Sequence, residues 1–248
     1  MTNKTSKSEK LKEILSSSWS TLKRLESGVK ITGMTKDDSI EISDSEIKLI
    51  SQFLKSDDTK IRIGAIEMLG EFGELSNNYI KDIIKDFQTY SVKEQQLILT
   101  TLQRIAGEEI LEIIENLIDK NLDYDILLEI AFIIGINLSE KPNEGMKTLL
   151  KLSINKQFWE TILNYMRSAY NRATQPDKFK GFIAIKMEEP PLIGISAEGQ
   201  RRRDAFSSVE SNIDLAILKL VESEKQSKNK KERSDAKRTL ELIWKKIK

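Results

Sequence analysis

Ser56-Asp57-Asp58-Thr59-Lys60-Ile61-Arg62-Ile63-Gly64-Ala65-Ile66-Glu67-Met68-Leu69-Gly70-Glu71-Phe72-Gly73 reads as one helix with both ends marked. Asp57 or Asp58, ahead of Thr59 and Lys60, can accept from the backbone N–H groups that a first turn leaves unpaired. Gly73 supplies the stop. Segments of the same kind begin near Thr59, Ser91 and Asp123, spaced by 32 residues, and a fourth follows at Lys156. Each reads as the inner helix of a pair, and a fixed period of this length is the signature of stacked helical repeats.

Outward from this stretch, four helix pairs are expected: Ser43–Lys55 with Thr59–Gly73, Ser76–Thr89 with Ser91–Ala106, Glu108–Lys120 with Asp123–Leu138, and Asn143–Ile154 with Lys156–Ala173. Ser43 stands three residues before Glu46 and Ser91 three before Glu94, the spacing of a capping box. Gly107 and the Lys141-Pro142 step supply further stops. Leu69, Leu102 and Ile134 recur at one helical position, as do Ile66, Leu99 and Ala131. Stacking requires such recurrence, because each unit buries its face against the next.

The first of these inner helices resembles the signature of HEAT repeats, especially the short variety, in Asp58, Arg62, Ala65, Leu69 and Gly70. The resemblance implies a right-handed, all-α armadillo-type solenoid of about four helix pairs, with an Asp–Arg ladder between neighbouring repeats and close helix approach at Ala and Gly. The second unit departs from the pattern, with Glu94 to Gln96 where Arg is expected. The units are also shorter than the roughly 40–47 residues usual for HEAT. No Trp-x-x-Leu-Gly or Thr-Pro-Leu-His string points to tetratricopeptide or ankyrin repeats instead.

The flanks complete the expected organisation: a disordered tail over 1–8, a helix and linker over 9–42, the repeats over 43–173, an irregular insertion over 174–199, and two helices with a basic end over 200–248. Leu11, Ile14, Leu15, Trp19, Leu22 and Leu25 form one apolar stripe that Gly28 ends, suited to capping the stack. Val29–Ile42 reads as a linker with room for a short extended pair. The insertion carries Pro176, Pro190 and Pro191 around two apolar runs that include Ile183, Ile185, Leu192 and Ile193. It reads either as a strap sealing the stack or as a partner-binding element. The last two helices are expected over Gly199–Ser223, with Phe206, Val209, Ile213, Leu215–Leu218 and Val221 on its apolar face, and Lys231–Lys248, with Trp244 in the core.

Composition narrows the function. The 248 residues include no Cys and no His, which removes thiolate chemistry, disulfides, Cys-ligated metals, the commonest general base and every Ser-His or Cys-His pair. No catalytic, cofactor or metal residues are therefore assigned. The N-terminus is polar and no run of 18 apolar residues occurs, so a cytoplasmic protein with no membrane partner is expected.

The net charge of +1 hides a strong asymmetry. Lys225–Lys248 holds ten Lys and Arg against Glu232, Asp235 and Glu241, whereas Glu108–Glu129 holds eight acids against Lys120 alone. The leading expectation is a non-catalytic protein–protein interaction or scaffolding module, with Ile183, Ile185, Leu192 and Ile193 as binding candidates. The alternative is nucleic-acid binding through Arg201, Arg202, Arg203 and the basic C-terminal helix.

Overall fold

The computed structural model describes residues 7–17, 35–36, 39–40, 44–119, 121–175 and 197–248. Among these, the fold is all-α, with eleven α-helices and a two-residue antiparallel ladder, β1 (Thr35–Lys36) with β2 (Ser39–Ile40), inside the expected linker. The chain divides into two compact units, Met1–Ile110 and Leu111–Lys248.

The first unit contains α1 (Lys7–Ser16), α2 (Asp44–Ser51), α3 (Thr59–Glu71), α4 (Ile80–Ile84) and α5 (Val92–Ile105). Asp58, rather than Asp57, caps α3 by accepting from Lys60 N at 2.8 Å. Ser91 and Glu94 form the expected capping box at the start of α5. Ser43 lies outside the described residues. Gly73 and Gly107 follow α3 and α5 at φ of +57° and +47°, left-handed conformations that side chains rarely adopt.

The outer helix expected over Ser76–Thr89 is broken. It runs as a 3₁₀ segment (Gly73–Tyr79), the short α4, and a further 3₁₀ turn (Phe87–Thr89). Ser76, Asn77 and Asn78 occupy its first turns, and such short polar side chains compete with the helical backbone for hydrogen bonds.

Helix α3 packs against both α1 and α5. Its glycines set the spacing on the two sides. A Cβ at Gly64 would fall 2.4 Å from the Leu15 carbonyl oxygen of α1, and one at Gly70 would fall 3.2 Å from Thr101 Oγ1 of α5. Leu11, Ile14 and Leu15 bury the described part of the N-terminal stripe, while Trp19, Leu22, Leu25 and Gly28 lie outside the described residues. Ile66, Leu69, Leu99 and Leu102 are buried as their recurrence requires.

The second unit contains α6 (Ile110–Leu117) from its second residue on, α7 (Tyr124–Asn137), α8 (Pro142–Lys151), α9 (Lys156–Thr174), α10 (Ala197–Gln226) and α11 (Lys230–Ile247). Asp123 caps α7 through Asp125 N at 2.9 Å, Asn155 caps α9 through Phe158 N at 3.0 Å, and Pro142 opens α8 at its first turn. Helix α7 is buried on nearly every side, including Ala131 and Ile134.

The main neighbour of α7 is not the fourth inner helix, as repeat stacking predicts, but the 30-residue α10. A Cβ at Gly135 would meet the Ser208 backbone at 2.7 Å, so glycine permits this close approach. Helix α9 packs on α10 instead and reaches α7 through Phe158, whose ring stacks on Phe206 and meets Tyr124 edge-on. Arg172 clamps α10 through both carboxylate oxygens of Asp214, at 2.5 and 2.7 Å.

Two apolar assignments are corrected. Leu215 and Leu218 are exposed while Ala216, Ile217 and Leu220 of α10 are buried. Trp244 is 41% exposed rather than in the core. Helix α11 docks instead through Ala236, Leu240, Ile243 and Ile247, the positions separated by steps of three and four.

Candidate functional site

Ile183, Ile185, Leu192 and Ile193 lie outside the described residues. The three arginines lie in the first turns of α10 and point to separate tasks. Arg201 donates to Asp125 Oδ2 at 3.2 Å, so it is paired with the acidic stretch of the same unit. Arg202 lies over the Phe206 ring, 5.8 Å from its centroid. Arg203 is half-buried. Beside them on α7, burial pushes the Glu129 carboxyl above its usual range, against the pull of the Arg201 guanidinium.

The basic C-terminal helix contributes elsewhere. Helices α6, α8 and α11 enclose a cleft of about 450 Å³ lined by Glu115, Lys147, Leu150, Lys151, Leu242, Lys245 and Lys246. Local structure explains the lysines. Lys147 and Lys151 are four residues apart and share one face of α8, while Lys245 and Lys246 sit in the last turn of α11, where positive charge is favourable. Lys151 Nζ donates to the Glu115 carbonyl at 2.5 Å, and Lys246 Nζ donates to Ser153 Oγ at 2.8 Å. Leu150 is buried, and Leu242 is 38% exposed within the cleft. The arrangement is a charged rim over an apolar floor, the combination that favours recognition.

A second cleft of about 350 Å³ lies between α9, α10 and α11, walled by Tyr170 and Trp244, whose rings stack at 5.5 Å. Burial, and then the nearby Glu224 carboxylate, push the Tyr170 phenol above its usual value. Lys248 Nζ lies 4.9 Å from the Trp244 ring centroid.

Sequence reasoning singled out Lys245 and Lys246 as part of the basic end but missed Lys147, Leu150, Lys151 and Leu242. The paired spacing of Lys147 and Lys151 was a signal for a common helix face, though not for what that face would meet. None of Arg201–Arg203 lines the cleft, and Glu115 alone of the eight acids borders it. Among the described residues, no group of three or more Asp or Glu is placed to hold a metal ion, and no helix is long and apolar enough to cross a membrane.

No protein-family model and no curated protein matches this chain. Among solved structures, it is similar to a crystal structure described as an engineered protein from the Northeast Structural Genomics Consortium, at 15% identity and a TM-score of 0.33 over 98% of both chains.

Proposed function

We propose that the protein is a non-catalytic protein–protein interaction or scaffolding module, whose first unit carries HEAT-like helix pairs and whose second presents the recognition surface. The HEAT-like reading is supported by contacts at the repeat period. Arg62 of α3 pairs with Glu94 of α5, 32 residues on, and Arg104 of α5 pairs with Glu71 of α3, 33 residues back. In the second repeat, where Glu94 to Gln96 stand in place of the expected Arg, Glu94 is the acceptor for Arg62.

The observation that carries the binding function is the lysine-walled cleft. It is concave and built from three helices rather than a loop, and it leaves an apolar side chain, Leu242, partly uncovered between ammonium groups. The nucleic-acid alternative draws less support from the same residues. Arg201 is engaged by Asp125, and the Trp244 ring is stacked on Tyr170 rather than presented as a platform for a base.

Photo-crosslinking tests the reading. A photoreactive residue at Lys245 is expected to give covalent adducts with a discrete protein in cells, whereas one at Lys93 in the first unit gives none in common with it. Adducts with nucleic acid alone would replace this reading with the alternative. Absence of adducts from Lys245 would remove the cleft as its basis.

A further inference from the structure

We propose that the cleft between α6, α8 and α11 binds an acidic segment of a partner protein that inserts one apolar side chain between flanking carboxylates. This deepens the interaction reading above and rests on it.

The charge balance selects the sign of the ligand. Among the described residues, Lys147, Lys151, Lys245 and Lys246 face one acid, Glu115, around a single cleft. Each ammonium has three donors. Lys151 gives one to the Glu115 carbonyl and Lys246 gives one to Ser153 Oγ, which holds both groups at the rim with donors left over. Anchoring of this kind lowers the conformational cost of meeting a carboxylate.

The floor selects the rest of the ligand. Leu242 is 38% exposed beside Leu150, so an entering aliphatic side chain removes apolar surface on both molecules from water. An acidic ligand without an apolar side chain leaves that surface uncovered.

The lining also separates a peptide from a nucleic acid. Among the described residues, no arginine and no aromatic ring borders the cleft, so these side chains provide neither bidentate phosphate recognition nor base stacking. A peptide backbone can turn an N–H toward Glu115, a donor that a phosphodiester backbone lacks.

The test is fluorescence anisotropy with the full chain and three labelled probes: a short Asp/Glu peptide with one central Leu, the same peptide with Ser in its place, and single-stranded oligothymidylate. The Leu peptide is expected to bind most tightly. Lys147→Glu with Lys245→Glu should weaken it by about tenfold or more, and added salt should weaken it in the intact protein. Leu242→Ser should reduce the Leu peptide to the affinity of the Ser peptide while leaving the Ser peptide unchanged. Circular dichroism and thermal melts establish that each variant is folded, as surface substitutions of this kind permit.

The proposal is overturned if neither peptide binds, if charge reversal leaves binding intact, or if the Leu and Ser peptides bind alike. It is also overturned if oligothymidylate binds more tightly and is lost in the charge-reversed variant. A discrete protein adduct from Lys245 alongside failed peptide binding would retain the interaction module and discard only the acidic-segment ligand.

Discussion

The Arg62 guanidinium donates to Glu94 Oε1 at 2.8 Å, joining two helices whose pairing residues stand 32 apart in the chain. The same guanidinium donates to the Ser56 and Asp57 carbonyls and lies over the Tyr90 ring, while Ser91 holds the other carboxylate oxygen of Glu94. One ion pair therefore ties the entry turn of α3 to the cap of α5.

Breaking this pair from one side should be costly, because the Glu94 side chain is only 5% exposed and would be left without its cation. Arg62→Ala is expected to destabilise the first unit by about 3 kcal/mol. Arg62→Ala combined with Glu94→Gln should cost less than the two single changes added together, a coupling of about 1–3 kcal/mol. Urea denaturation of the four proteins measures both quantities, and strict additivity would dismiss the rung as a stabilising contact.

The same pair makes the first unit acid-sensitive. Burial alone would push the Glu94 carboxyl up, but hydrogen bonds from Arg62 and Ser91 outweigh it and hold the group below its ordinary value of 4.5. The unfolded chain then binds this proton more readily than the folded one. The contribution is present above the unfolded pKa and is lost as pH falls through the folded one. Melts between neutral pH and the range below 4.5 should show a steeper acid loss for the native protein than for Glu94→Gln.

Glu129 carries the opposite sign. Burial raises its pKa despite Arg201, so its ionised form is a liability in the folded state, and the favourable protonated contribution fades as pH rises through the folded pKa. Glu129→Gln should raise the melting temperature at pH 7 and give no gain in acid. Arg201→Ala should lower it at pH 7, since the opposing cation is removed and Asp125 loses its partner. Equal melting temperatures for Glu129→Gln and the native protein at pH 7 would refute the assignment.

Glycine positions should separate two kinds of close approach. Gly135→Ala places a methyl 2.7 Å from the Ser208 backbone, which can move only by displacing α10, so a loss of about 1–3 kcal/mol is expected. Gly70→Ala meets only the Thr101 side chain at 3.2 Å, and the gain in helix propensity of about 1 kcal/mol offsets much of the strain. Thermal melts should rank Gly135→Ala well below Gly70→Ala.

The sequence by itself determined the inner helices, the caps at Asp58 and Ser91, and the recurring buried positions Ile66, Leu69, Leu99 and Leu102. Those signals are local: Asp58 to Lys60 and Ser91 to Glu94 span at most three residues, and apolar recurrence within a helix needs only its pitch. The outer segment at Ser76–Thr89 was less legible, because short polar residues balance helix against 3₁₀ turns. Tertiary structure alone decided that α10 lies along α7, that Trp244 and Leu215 face solvent, and that lysines from α8 and α11 share a cleft with Leu242. The Lys151–Glu115 and Lys246–Ser153 contacts that shape its rim span 36 and 93 residues. Which helix faces which depends on how side-chain volumes and glycine gaps fit across elements, and no local pattern of polarity encodes that fit.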